Sequence, residues 1–558
     1  MIRPFLLVIV VASIGASKQE EVDKIIAAGK GESQVMDHLD VLTNRIGPRL
    51  TSSDGLQIAS EWARDKFAEF GLKDAKLERW GEFPVGFNRG PWSGKVITPE
   101  ARTLEFITPS WSAGTKGLVN GKAILAPKNA EDLEKVKDQI PGAWIILASA
   151  ANGGPRDSTF IKALGEIAQK SGAAGMIRPG RGDLVITDGS SRVSWDKLPT
   201  LPSLRLLQKQ FDEIVAWLKA DKPVVLEFDI RNYFKKGPIP LYNVVADIPG
   251  SETPDEYVIV GGHLDSWDGA TGATDNGTGC STALEAARIL MKSGVKPKRT
   301  IRFMLWSGEE QGLLGSAAYT KAHPELMPRI SAVFVHDGGT NYLSGIGGTE
   351  AMQSDLQLVF AAVVGLDSKF PFEVKKVPGL GGFGSDHASF LSQNVPGFFW
   401  GQAGKAVYTK THHTQFDTYE MAIPEYQKHS ALVIALAAHG VAELDHLLSR
   451  EKLRAPGGFG NRRTMGIQLD GMAVTEVIPD GAAERAGMKE GDVILKIEGA
   501  KVSDRIEMAR ALSAGEPKKK VLISRDGKEI ELELKWAAPV HSSFACTLNP
   551  GLANSQWS

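Results

Sequence analysis

The alternation of short apolar runs with amphipathic stretches between Leu241 and Val335 limits what this chain can fold into more than any other feature. Tyr257–Val260 (YVIV) reads as a strand bounded by Gly261-Gly262. Ala283, Ala286, Ala287 and Leu290 recur at i, i+3, i+4 and i+7, one face of a helix over 280–291. Ile301, Phe303 and Leu305 alternate with Arg302 and Met304, which predicts a strand, and Ile330–Val335 predicts another. Strand–helix–strand order of this kind predicts an α/β fold, with a mixed, mostly parallel sheet sandwiched by helices. In open sheets of that class, functional groups gather outside the C-terminal ends of the strands.

The residues that follow these strands are chemically dense. His263 in Gly261–Ser266 (GGHLDS) can offer a ring nitrogen. Asp265, two residues on, is placed to accept the other ring N–H and fix its tautomer. Asp275 sits in a Gly-rich turn, Gly272–Gly277 (GATDNG), just before the helix. Glu309 and Glu310 follow the Ile301–Leu305 strand; adjacent carboxylates point different ways, so one can bind a metal while the other moves protons. Asp337 ends the Ile330–Val335 strand, and His412 and His413 open a segment HHTQFDT. Singly each feature is weak. A lone His after a strand is more often structural, a DNG turn is ordinarily only a turn, and paired Glu usually face solvent. Together, His263, Glu310 and Asp337 terminate strands of one predicted sheet, where their side chains can converge. Oxygen and imidazole donors without thiolate suit Zn²⁺, with Co²⁺ or Mn²⁺ as substitutes.

The order and spacing of GGHLDSWD, GATDNGTG, WSGEEQGLLGS, His336-Asp337 and HHTQFDT resemble the bizinc exopeptidase family that includes bacterial leucyl aminopeptidases and glutamate carboxypeptidases. The resemblance implies two Zn²⁺ per chain, bridged by Asp275. His263 and Asp337 would complete one site, Glu310 and His413 the other, and Glu309 would be the general base. A water between two dications is acidified from pKa ~15.7 toward ~7, a nucleophile for peptide bonds near a chain terminus. An aminopeptidase is expected first, with a carboxypeptidase or dipeptidase of the same family as the alternative. A glutaminyl-cyclase-like transferase predicts weakened ligands, and a non-catalytic peptide-binding homologue predicts missing ligands or a replaced base; all six groups are in place. His412 stands where many members carry Tyr, and either donation to an oxyanion or simple lining of the pocket fits it. Ser385-Asp386-His387, after the Gly-rich Pro378–Gly384, resembles the family's Ser-Asp-His segment. Asp386 and His387 are expected as pocket residues and not ligands, or as a structural pair behind the pocket. The likeness extends to Arg45–Leu72, where Ala59, Ala63, Phe67 and Phe70 form a helical stripe closed by Gly71.

Further modules flank this region. Residues 110–235 resemble a protease-associated domain, expected either to shape the substrate cleft or to be a passive insert. Residues 464–537 resemble a PDZ domain on the strength of Val474–Ile494. Its carboxylate-binding loop would be Thr464-Met465-Gly466-Ile467, where backbone N–H groups could capture a peptide C-terminus, with Arg462 and Arg463 attracting the charge. At the start, Arg3 and the apolar run Phe5–Ala16 describe a secretory signal peptide over 1–17, too short to span ~30 Å of hydrocarbon. The chain is therefore expected to be exported, to the periplasm or beyond the cell, with no membrane span after cleavage. The expected order is signal peptide 1–17, catalytic domain 18–109 and 236–450 around the insert 110–235, linker 451–463, PDZ-like domain 464–537 and a loose tail 538–558. Lys and Arg number 64 against 66 Asp and Glu, so no charge excess calls for a nucleic-acid partner; peptides are the expected partners. Two cysteines, Cys280 and Cys546, make no disulfide framework.

Overall fold

The structure is a computed structural model and describes residues 18–148, 154–155, 158–382, 384–453, 465–470, 472–477, 481–502, 508, 511–512, 518–525 and 527–536. The expected signal peptide 1–17 and tail 538–558 lie outside these residues, as do Phe383, Arg462, Arg463, Thr464, Cys546 and most of the expected linker. The chain divides into two compact units, 1–456 and 457–558.

The first unit is organised by two long strands, β1 (Lys73–Thr98, 26 residues) and a 24-residue partner, Val225–Ile248. Pro84, Gly90 and Pro91 all lie within β1. The strand remains continuous to Thr98 because the ladder shifts register at Phe83/Val85 and Arg89/Trp92, which puts all three residues in bulges where no ladder donor is lost. In chain order the following strands are β2 (Phe106–Ile107), β3 (Val119–Leu125), β4 (Trp144–Ile146), β5 (Gly175–Pro179), β6 (Ser203–Leu206), β7 (Val225–Ile248), β8 (Thr253–His263), β9 (Arg299–Trp306), β10 (Ile330–Val335) and β11 (Gly397–Phe399). The sheet order is β11-β10-β8-β9-β7-β3-β4-β5-β6-β2, with β1 antiparallel to β7. The edge of β7 away from β1 pairs with β9 at Val244–Ile248 and with β3 at Val225–Phe228. The expected boundary at residue 235 thus falls inside a continuous strand.

Period-two alternation along β7 feeds two cores. Leu226, Phe228 and Ile230 join one with Trp144, Leu204 and Phe211, while Val244, Ala246 and Ile248 join the larger one with Phe303 and Phe334. The larger core is covered by helices α1 (residues 18–30), α2 (Asp54–Glu69), α3 (Thr278–Ser293) and α5 (Pro424–Ala442), while Tyr319 of α4 (Leu314–Ala322) joins a separate cluster with Val245, Met304 and Val333. The stripe predicted on α2 is as expected: Ala59, Ala63 and Phe67 are fully buried, and Phe70 packs against the core. Helix α3 is buried nearly all round, and residues of α5 join its cluster.

Strands β8, β9, β10 and β11 are mutually parallel, so their C-terminal ends share one edge. The glycines after YVIV make this possible. A Cβ on Gly261 would lie 1.9 Å from the Met304 carbonyl oxygen of the neighbouring strand.

In the second unit, strands Ile467–Asp470, Ala473–Val477, Val493–Ile497, Lys518–Arg525 and Lys528–Lys535 form an antiparallel sheet around Val474, Ile494, Val521, Ile523 and Leu534. Met465 is buried, and Gly466 takes φ +74, a left-handed conformation natural to glycine at the start of a loop-to-strand transition.

Gly261→Ala forces β8 and β9 apart at their closest approach. The expected outcome is a loss of about 1–3 kcal/mol or more, read as a lowered midpoint in thermal or denaturant unfolding.

Candidate metal centre

Three of the predicted site segments arrive at one level because of strand register. Trp306 pairs with His263, and Val335 pairs with Gly261, so the loops bearing Glu309-Glu310 and Asp337 begin beside His263. Asp275 enters from the turn before α3. Its neighbour Asn276 pins that turn: the side chain donates to the His336 carbonyl at 2.9 Å and accepts from the Gly279 N–H at 3.0 Å.

The side chains form two triads that share Asp275. His263 Nε2 lies 3.3 Å from Asp275 Oδ1 and 3.5 Å from Asp337 Oδ2. His413 Nε2 lies 3.1 Å from Asp275 Oδ2 and 3.0 Å from Glu310 Oε2. Despite these approaches, His263 Nε2, Asp275 Oδ2 and Glu310 Oε1 are buried with no hydrogen-bond partner. Lone pairs converge there where hydrogen bonds would be needed to keep them buried. Two ligands each 2.0–2.1 Å from a tetrahedral ion stand roughly 3.3 Å apart, so the spacings and the all-nitrogen-and-oxygen donor set fit zinc.

Glu309 belongs to neither triad. Its Oε2 is 4.0 Å from His263 Nε2, and its side chain keeps 14% of its surface exposed. Burial, with the charges of Asp337, Glu310 and Asp386 and against that of His263, raises its pKa well above the carboxylate range. Burial and Asp275 push Glu310 up to about 7. Burial pulls His413 down, but its contacts with Asp275 and Glu310 outweigh that and carry it up to about 11.

One expectation is corrected. The Nδ1–H of His263 is accepted by the backbone carbonyl of Asp265 at 2.9 Å, whereas the carboxylate is 3.8 Å away. That carboxylate is already engaged. It accepts from the Thr51 hydroxyl at 2.8 Å and from the backbone N–H groups of Glu309 and Glu310, each at 3.3 Å. Asp265 therefore holds the loop that presents both glutamates.

His412 stacks on His413, ring centroids 3.9 Å apart, and stands half-exposed with Nε2 3.8 Å from Asp275 Oδ2. Asp386 and His387 are fully buried, with both Asp386 oxygens unpartnered and His387 Nε2 bonded to the Gly381 carbonyl at 2.7 Å.

Sequence reasoning missed Arg49 and gave Asp417 no role. Arg49 is completely buried and donates to the carbonyls of Leu264, Thr271 and Gly272 at 2.7, 2.9 and 2.8 Å, tying together the chain between His263 and Asp275. Nothing periodic marks it. Asp417 accepts from the Thr274 N–H at 2.6 Å, and burial with the Asp275 charge pushes it up to about 7. The insert also reaches the site: the Thr187 N–H donates to the His413 carbonyl at 2.8 Å, Val185 N–H donates to the Gln415 side chain at 2.9 Å, and Ile186 bridges to Thr414.

Residues 243–438 are matched by the family model of peptidase family M28, and residues 473–525 by that of the PDZ domain. Carboxypeptidase Q of Mus musculus is 26% identical over 434 residues, spanning 76% of this chain and 88% of that protein. The solved structure of a peptidase M28 precursor from Shewanella amazonensis has the same fold, with a TM-score of 0.58 at 23% identity over 77% of this chain and 98% of its own. A zinc aminopeptidase from Bacillus subtilis is similar at 18% identity and a TM-score of 0.49, over 75% of this chain and 98% of its own.

Loading the metal-free chain must displace protons, because ligands bind deprotonated. At pH 6 both His413, raised to about 11, and Glu310, raised to about 7, carry protons; at pH 9 Glu310 has lost its own and His413 has not. Zinc titrations in buffers of different ionisation heat should show proton release that falls from pH 6 to 9 without vanishing.

Proposed function

Because the chain belongs to peptidase family M28 through residues 243–438, a family of zinc-dependent exopeptidases, we propose that it removes residues from the amino-terminal end of peptides. The observation that carries the exopeptidase reading is the pair of donor triads sharing Asp275, with Glu309 outside both. The cleft is lined by Thr187, Trp267, Ala270, Gly272, Asp275, Glu310, His413, Thr414 and Asp417, with no Lys or Arg among these described residues. Carboxypeptidase or dipeptidase action is the second reading, favoured by the 26% identity to carboxypeptidase Q.

The two triads sharing Asp275 support two zinc ions per chain. His263 and Asp337 would hold one and Glu310 and His413 the other, with Co²⁺ or Mn²⁺ as substitutes. Bound zinc supplies Lewis acidity to the scissile carbonyl and brings the pKa of a water from ~15.7 toward ~7. Glu309, free of both triads, accepts that water's proton and passes it to the leaving amine. Asp265 keeps Glu309 in place through its backbone N–H. His412, half-exposed with Nε2 3.8 Å from Asp275 Oδ2, would either donate to the developing oxyanion or line the pocket.

We assign residues 110–235 to a protease-associated insert that shapes the cleft; the bonds from Val185 and Thr187 to the His413 segment support that role. The PDZ domain would capture a peptide C-terminus on the backbone of Met465, Gly466 and Ile467. Export under the 1–17 signal peptide is consistent with the described residues, in which no helix is long and apolar enough to cross a membrane.

Glu309→Gln should retain zinc and lose turnover by about 10²–10⁴-fold, as expected for a general acid–base group. Near-wild-type kcat removes the role assigned to Glu309. A panel of free, N-blocked and C-blocked peptides, with zinc added or chelated, decides the terminus: an aminopeptidase spares only the N-blocked set. Removal of residues 464–558 should leave hydrolysis of short peptides largely unchanged.

A further inference from the structure

A second group of metal-type donors lies away from the cleft, where α1 meets the end of α5. His439 and Glu443 are four residues apart, so their side chains lie on one face of α5 and its C-cap. Glu21 faces them from α1. Ligand atoms of all three lie within 4.8 Å of one another, and Glu21 Oε2 is 3.3 Å from His439 Nε2. That spacing is again the edge of a tetrahedron with bonds of roughly 2.0–2.1 Å.

The polar atoms of this cluster are not all satisfied by the protein. The His439 side chain is 3% exposed, and its Nδ1 has no hydrogen-bond partner. Glu21 is raised by burial and by the charge of Glu443. Of the nearby ammonium groups, Lys18 donates to the Glu443 backbone carbonyl at 3.1 Å and Lys24 pairs with Glu20 at 2.7 Å, and the charges of both act on Glu21. Glu443 itself accepts from the Lys298 backbone N–H at 2.8 Å, which orients its carboxylate.

We propose that Glu21, His439 and Glu443 form a separate zinc-type site that fastens α1 to the last helix of the catalytic unit. Three protein donors leave a fourth position to water, and the two helices are already in close register there. Ile25 of α1 is fully buried in the main core, and a Cβ on Gly29 would lie 2.6 Å from Leu432 of α5.

The test is zinc content of the full chain by elemental analysis, after equilibration at fixed free zinc and gel filtration. Glu21→Gln, a partly exposed and nearly isosteric change, should hold one zinc per chain fewer than wild type and show a smaller rise in Tm on zinc addition. His439→Ala should behave the same way if it folds. Asp275→Ala, which empties the catalytic centre, should still retain one zinc. Equal zinc content in wild type and Glu21→Gln, or a zinc-free Asp275→Ala chain, overturns the proposal.

Discussion

Buried carboxylate charge around Asp275 is the constraint on which the rest of the first unit depends. At 4 Å and an effective dielectric of ~20, two like charges repel by about 4 kcal/mol. Asp275, Glu309, Glu310 and Asp337 are nevertheless gathered beside two imidazoles. The fold opposes that repulsion with fixed donors. Asn276 and Arg49 pin the turn that carries Asp275, and Asp265 anchors the backbone that carries both glutamates. Arg49 is itself a buried cation whose hydrogen bonds all go to carbonyl oxygens, which leaves its charge facing Asp417, Asp265 and Asp275. A bound zinc ion would further relieve the repulsion among these carboxylates.

Three of the ligand-type residues, His263, Glu310 and Asp337, were legible because each sits two to five residues beyond an apolar run that could be read as a strand. His263, Glu310 and Asp337 need only strand order and direction to be brought together, and Val335 and Trp306 align them with Gly261 and His263. Groups whose role depends on long-range contact carried no such mark. Arg49 acts on carbonyls more than 200 residues away, and Asp265 bonds two N–H groups beyond a different strand, so neither spacing nor periodicity could place them. The atom that receives the His263 ring proton was misread for the same reason. A two-residue offset suggests a carboxylate partner, but that carboxylate was already engaged by Thr51 and the Glu309–Glu310 backbone.

The insert and the metal centre are joined more closely than a module boundary suggests. A Cβ on Gly269 would lie 1.9 Å from Thr187 Cγ2, while Thr187 N–H bonds the His413 carbonyl. Arg89 of β1 and Ser110 of the insert both bond Asp268, next to Trp267 in the cleft wall, with the Ser110 contact at 2.6 Å. Movement of the insert relative to the larger core would have to pass through the segment that presents His413.

The continuity of β7 also bears on how such a chain can change over generations. Leu226, Phe228 and Ile230 face one core and Val244, Ala246 and Ile248 face the other along one strand, which shifts register between Lys236 and Ile239. Adding or deleting one residue between 231 and 243 reverses the inward face of everything on one side of it, unless a bulge absorbs the change. Recombination breakpoints there must therefore conserve parity, whereas the distal turns of the insert can lengthen freely. Exchange of residues 110–235 as a block is thereby restricted at its root by the arithmetic of a β-strand.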